Sequence, residues 1–287
     1  MNPVEKSSPN TVDLEPLKKM ILDGQEYLDH PFNHGEKDKN YIFELTSGNK
    51  RLVYFGSHHT NNPQDPMFGE IQTRFKELQP EIVYVEGMQE INDHKELTVE
   101  KRKDTTLEET MKDGENLYAL KLAIDAGVEF ESPEPKQFEE IQHLLGKGFS
   151  GGDIFKQHMY SIIAQYQRLY AKEKTLEGCK KYLEPYFSRF QKNSRWKLED
   201  LERVKQELFA DLDLDATKYR DQVVPNPRKE AVQTIINQVS RNSSRFRDEY
   251  GLERIAEGLK NHDKLFVVYG SAHAVRLEPA LRALLVQ

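Results

Sequence analysis

Two short stretches of this chain end in the same pattern. Residues 53–59 read Val-Tyr-Phe-Gly-Ser-His-His and residues 267–273 read Val-Val-Tyr-Gly-Ser-Ala-His, so His59 and His273 hold equivalent places behind Gly56-Ser57 and Gly270-Ser271. A third apolar run closes on Val85-Glu86-Gly87. Two imidazoles and a carboxylate are a donor set that a catalytic divalent metal takes while keeping positions open for water. Such a metal lowers the pKa of bound water and polarises a carbonyl. Without a metal, His59, Glu86 and His273 would act as general base, general acid and orienting partner. His58 stands beside the first histidine as a candidate substrate contact. A single histidine at a strand end is commonly just a hydrogen-bonded residue; the repeated context is what argues for a site.

Other residues extend or narrow this set. Arg247 and Asp248, within Ser244-Arg245-Phe246-Arg247-Asp248-Glu249-Tyr250, precede the last strand by one helix. The arginine can meet a carboxylate or a developing oxyanion, and Asp248 joins it as a substrate contact. Glu115 follows Gly114 at a helix start, where the dipole favours an acid, and is a further candidate substrate contact. Ser57 and Ser271 lack the G-x-S-x-G elbow of a serine hydrolase, and helix capping suits them better. His158 falls on an apolar stripe and reads as a core histidine. Residues 211–215 imitate the start of a calcium loop, but Ala216 and Gln222 stand where Gly and Glu are needed. Residues 146–152 are glycine-rich without a phosphate-loop pattern, which suggests a hinge.

The elements that must position these residues follow from periodicity. Apolar positions at helical spacing predict helices over 13–28, 67–78 and 107–126, the last closed by Gly127. Short β-branched and aromatic runs predict a hairpin over 41–46 and 51–55, then strands over 82–85, 128–130 and 265–269. Strand alternating with helix argues for an α/β fold with a mostly parallel central sheet and flanking helices. From 136 to 262 the pattern is helix upon helix, including 183–190, 198–208, 228–239 and 246–259. The division expected is a tail and helix over 1–40, the first part of the core over 41–135, a large helical insertion or cap over 136–262, and the last strand and helix over 263–287. In such sheets ligands bind outside the carboxyl ends of the strands. His59, Glu86 and His273 would converge there if their strands are neighbours.

Composition limits the function classes. The chain has 287 residues, a net charge of −7 and 31% charged residues, which excludes a basic nucleic-acid face. Lys101-Arg102-Lys103 reads as a solvated surface. Cys179 is the one cysteine, so an internal disulfide and a thiolate metal cluster are both excluded. It sits in an ordinary helical context, and a reducing, cytoplasmic setting is expected. The polar first residues carry no leader pattern, and no apolar run is long enough for a bilayer, so no membrane partner is expected.

Taken as an ordered set, Gly56-Ser57-His58-His59, Val85-Glu86-Gly87, Gly114-Glu115, Arg247-Asp248 and Gly270-Ser271-Ala272-His273 resemble the superfamily of the TraB, PrgY and Tiki proteins. The erythromycin esterases and the haem-binding ChaN proteins are related to it. The resemblance runs from Tyr41 to the end of the sequence. It implies an α/β core and a site built from the two G-x-x-H histidines and the Glu. The Tiki proteins imply a metal-dependent peptidase that takes manganese or cobalt in preference to zinc, and the esterases imply His and Glu acting without an obligatory metal. The expectation is therefore a hydrolase of a peptide or small acyl substrate. A metal-independent esterase is one alternative; the other is a haem or small-ligand binder using Tyr54, Tyr84, Tyr269 and the strand-end histidines. The absence of a membrane segment departs from Tiki and many TraB-like proteins.

Overall fold

A computed structural model of the chain describes residues 13–286, apart from 35–38, 170–174, 195–197, 215, 224 and 226–232. Five strands, β1 (Tyr41–Ser47), β2 (Lys50–Ser57), β3 (Ile82–Val85), β4 (Glu129–Glu131) and β5 (Lys264–Gly270), form one sheet in the order β1-β2-β5-β3-β4. The hairpin β1-β2 is antiparallel and turns through two residues, with Gly48 at φ +57° supplying the left-handed step. All other pairings are parallel. The last strand in sequence lies at the centre, between β2 and β3, which makes the three site-bearing strands neighbours. This is the α/β fold that the strand and helix alternation predicts.

Alternate residues of the three inner strands enter opposite layers. Leu52, Tyr54, Ile82, Tyr84, Leu265 and Val267 pack with the final helices. Val53, Phe55, Val83, Val85, Phe266 and Val268 pack with the helices Pro66–Leu78 and Glu115–Ala126. Both faces are covered, which is why these strands read as unbroken apolar runs. Each such side chain contributes roughly 1.5–3 kcal/mol on burial, and all of Leu265 to Gly270 is buried. The register of β5 against β2 and β3 sets the placement of Gly270 and His273.

The helical region has its own core, built from Ile154, Phe155, Ile163, Leu183, Phe190 and their neighbours. It meets the sheet layers through one long helix, Ile235–Asn261. Val239, near its start, belongs to the helical core, whereas Leu252, Ile255 and Leu259 belong to the sheet. Arg247 and Asp248 lie between these two attachments.

Several helix limits differ from the periodic reading. Residues 13–28 form two short helices, Glu15–Lys18 and Gly24–Asp29, because Asp23 caps the second and so begins a new helix. The stretch 107–126 breaks into Leu107–Lys112 and Glu115–Ala126 at Gly114, whose φ of +104° a helix cannot hold. The 246–259 stretch is part of the single long helix, and the 228–239 helix falls partly on 228–232, outside the described residues. The segment after β3, assigned to nothing above, holds a short 3-10 turn, Gln89–Asn92, and a helix, Lys95–Arg102. Among the described residues no helix is long and apolar enough to cross a membrane.

Candidate functional site

The carboxyl ends of β2, β5 and β3 bring His59, His273 and Glu86 to one edge of the sheet. The aligned pairs Ser57↔Gly270 and Val85↔Val268 set their relative heights. His59 lies two residues past β2 at φ +56°, a left-handed conformation that a non-glycine residue holds only where its surroundings enforce it. Glu86 is followed by Gly87 and Met88, both also at positive φ. Its chain therefore turns sharply once the carboxylate is delivered. His273 sits in the first turn of the helix Ser271–Val286, which starts directly from β5.

Each histidine is held by a carboxylate. His59 Nδ1 stands 2.6 Å from Glu115 Oε1, and His273 Nδ1 stands 2.5 Å from Asp248 Oδ1. A carboxylate only accepts, so both Nδ1 atoms carry the proton and Nε2 is the basic nitrogen of each ring. Ser57 donates its buried hydroxyl to the same Glu115 oxygen at 3.0 Å. It caps no helix, contrary to the sequence reading. Arg276 lies 2.8 Å from the second Asp248 oxygen.

Glu86 is the third member. Its Oε2 accepts the Gly270 N–H at 2.6 Å and lies 3.7 Å from His59 Nε2. Its Oε1 accepts from Arg247 Nη2 at 3.2 Å. Burial works to raise the Glu86 carboxyl pKa, but the charges of His59, His273 and Arg247 and the Gly270 N–H outweigh it, leaving the pKa below the ordinary value. For Glu115 burial is again opposed, here by the hydrogen bond and charge of His59 and by Ser57, with the same net lowering. Both acids are ionised at neutral pH.

An open cleft of about 810 Å³ lies over this edge, and His59, Glu86, Glu115 and Arg247 face it. The His273 side chain, 12% exposed, lies behind them, with its ring edge-on to Tyr269 at 4.6 Å. The structure thus brings His59, Glu86, His273, Arg247, Glu115 and Asp248 together; Glu115 bonds His59 and faces the cleft, and Asp248 bonds His273. His58 is set apart: Asn40 Oδ1 at 2.8 Å and Asp65 Oδ2 at 3.1 Å take its two ring nitrogens. Arg247 bonds through one nitrogen to Glu86, Glu134 and Tyr269, which makes it a clamp on Glu86.

Sequence reasoning missed Glu134. This buried acid accepts from Arg247, from the Tyr269 hydroxyl at 2.5 Å and from the Gly87 N–H at 3.0 Å. Its signal was present in Pro133-Glu134-Pro135, an acid just past a parallel strand, as Glu86 is. Arg276 was missed as well, because nothing on its helix marks it. Of the tyrosines considered for haem, Tyr54 and Tyr84 are core residues and Tyr269 bonds Glu134. Burial pushes the Cys179 thiol up to about 11, which suits no nucleophile.

Two imidazoles with carboxylate-bound Nδ1 atoms, beside an ionised Glu86, match the chemistry of a divalent-cation site. Among the described residues, however, no three His, Cys, Asp or Glu side chains stand together as one ligating group. Comparison with family models, curated proteins and solved structures found no match.

Proposed function

We propose that this chain is a hydrolase of peptide or other acyl bonds, a member of the TraB, PrgY and Tiki superfamily, acting in the cleft at the carboxyl ends of β2, β3 and β5. The observation that carries the reading is the pair of carboxylate-held histidines, His59 on Glu115 at 2.6 Å and His273 on Asp248 at 2.5 Å, flanking the ionised Glu86. Fixing Nδ1–H on a carboxylate orients the ring and raises the basicity of Nε2. His59, which faces the cleft, takes the proton from an attacking water. Glu86, 3.7 Å from that nitrogen, stabilises the imidazolium that forms. Arg247 holds Glu86 in place and keeps it charged. His273, held by Asp248, lies behind the same carboxylate.

A divalent cation, manganese or cobalt in preference to zinc, would be held by His59, Glu86 and His273. When bound it supplies a more acidic water and a polarised acyl carbonyl. Metal content of wild type and of a His59→Ala, His273→Ala variant, measured by mass spectrometry after dialysis with each metal, tests this. Ester and peptide hydrolysis, assayed with and without a strong chelator, completes the test. Stoichiometric metal lost in the variant, with chelator-sensitive hydrolysis, is the expected result. Hydrolysis that survives the chelator selects the metal-free esterase. Hydrolysis and metal content both unchanged in the variant would sink the assignment.

A further inference from the structure

His58 precedes the proposed base in the chain, yet its side chain is 15% exposed and takes no part in lining the cleft. What it holds is chain. Its Nδ1 lies 2.8 Å from Asn40 Oδ1, and its Nε2 lies 3.1 Å from Asp65 Oδ2. Asn40 Oδ1 also takes the His58 backbone N–H, at 3.3 Å, which identifies that atom as the amide oxygen. Both partners accept, so the ring donates at both ends.

The two partners belong to different elements. Asn40 immediately precedes β1, where the β1–β2 ladder ends on the pair Tyr41↔Gly56. Asp65 is the N-cap of the helix Pro66–Leu78, and its other carboxylate oxygen accepts the Met67 N–H at 2.9 Å. His58 therefore ties the end of β2 to the start of β1 and to the next helix. Its bond to Asp65 closes the loop 58–65. Within that loop the Thr60 hydroxyl takes the Asn62 N–H, the Asn62 carboxamide takes the Gln64 N–H, and the Asn62 carbonyl takes the Asp65 N–H.

His59 is the second residue of this closed loop, and it alone there has a positive φ. A non-glycine residue keeps that conformation only under constraint. The Glu115 bond at 2.6 Å supplies one constraint, on the ring. The backbone needs another, because an unclosed loop of this length samples many conformations and carries its side chains with it. The two bonds of the His58 ring provide it.

We infer that His58 is a positioning residue: its ring staples the loop 58–65 to Asn40 and Asp65, and so holds His59 where Nδ1 meets Glu115. The staple itself rests on the loop geometry; its effect on turnover rests on the hydrolase reading. The test is long-range proton–nitrogen correlation of the full chain labelled with nitrogen-15 in histidine, at about pH 8, above the ordinary histidine pKa of about 6.5. His59→Gln identifies the His59 signals. In wild type His59 should show one fixed tautomer, with Nδ1 protonated and Nε2 bare. His58→Ala and Asp65→Ala should each replace that pattern with the averaged shifts of a free imidazole. Asp65→Asn should keep it, since asparagine retains an oxygen for the Met67 cap and turns an N–H towards His58 Nε2. Thr234→Ala removes the cap of the helix Ile235–Asn261, about 20 Å before Arg247 along its axis, and should leave His59 unchanged. A wild-type pattern in both His58→Ala and Asp65→Ala overturns the staple, as does a pattern lost equally in Thr234→Ala. Should His58→Ala fail to fold by circular dichroism, the contrast between Asp65→Ala and Asp65→Asn decides alone.

Turnover of para-nitrophenyl acetate separates the two readings. His58→Ala should lower kcat at least about tenfold with KM within about twofold of wild type, and Asp65→Asn should restore kcat to within about threefold. If wild type cleaves no ester or peptide while the His59 pattern behaves as stated, the staple stands and the hydrolase falls. If His58→Ala hydrolyses as wild type does and keeps the His59 pattern, the staple falls and the hydrolase stands.

Discussion

The two Gly-Ser-x-His strand ends match in sequence and differ in what packs against them. A Cβ on Gly56 would stand 2.5 Å from the Tyr41 carbonyl oxygen and 2.6 Å from Ala274 Cβ. A Cβ on Gly270 would instead meet the ends of side chains, His59 Nε2 at 2.7 Å and Glu86 Oε2 at 3.2 Å. The first glycine lets the last helix close on the sheet; the second leaves room for the site. The histidines diverge likewise: the His59 side chain, on a left-handed turn, is 37% exposed, and that of His273, in a helix, is 12% exposed. A repeated pattern marked a repeated place at the sheet edge, and the neighbours then assigned each copy a different role.

The largest effect expected is on the proposed hydrolysis. His59→Ala should lower kcat/KM by about 100- to 10,000-fold, the usual span for a positioned acid–base group. Its cost in unfolding free energy should be about 1–3 kcal/mol, because the buried Glu115 carboxylate, 4% exposed, loses its imidazole partner and keeps the Ser57 hydroxyl. Asp248→Asn tests the buried copy: it removes the charge beside Arg276, whose side chain is 6% exposed. Breaking a buried pair in this way costs about 3–5 kcal/mol, read by urea denaturation. If His59→Ala proves as destabilising as Asp248→Asn, the exposed-and-buried distinction is wrong.

The glycines sharpen the comparison at a smaller scale. Gly56→Ala forces backbone and a helix residue apart, and should lose about 1–3 kcal/mol of stability. Gly270→Ala can be relieved by shifting His59 and Glu86, so its stability loss should be under about 1 kcal/mol while its activity falls at least about tenfold. The opposite order, with Gly270→Ala the less stable and the more active, would mean that the two glycines have been assigned the wrong way round.

Much of this arrangement was legible because strand ends are local features. The runs before Gly56, Glu86 and Gly270 are short, apolar and sharply terminated, and a parallel sheet gathers such ends on one edge. Strand order was not legible: β5 enters between β2 and β3 after the whole helical region, a pairing fixed by non-local packing. The histidine partners of Glu115 and Asp248 were not legible for the same reason, since each lies 56 or 25 residues away. Gly114 could have been read as a break, but apolar periodicity continued across it and hid the change of direction. Glu134 followed a strand of three residues, too brief to register as a site-bearing element.

The smallest effect concerns acid. The Glu115 pKa in the folded chain lies below its ordinary value, because the bonds from His59 and Ser57 outweigh burial. A carboxyl with a depressed folded-state pKa binds fewer protons folded than unfolded, so it stabilises the fold above its unfolded pKa of about 4.3. That contribution disappears as the pH drops through the lower, folded value. Stability of wild type should therefore rise from acid towards neutral pH, with part of the rise assigned to Glu115. Glu115→Gln keeps the side chain's size but removes the titration, and should flatten that part of the curve in urea denaturations between about pH 3 and 7. Ser57→Ala should flatten it less, because it removes only one of the bonds holding the charge. An unaltered slope in Glu115→Gln would mean that His59 is oriented by a group that carries no acid linkage, and the carboxylate-held imidazole at the exposed strand end would lose its basis.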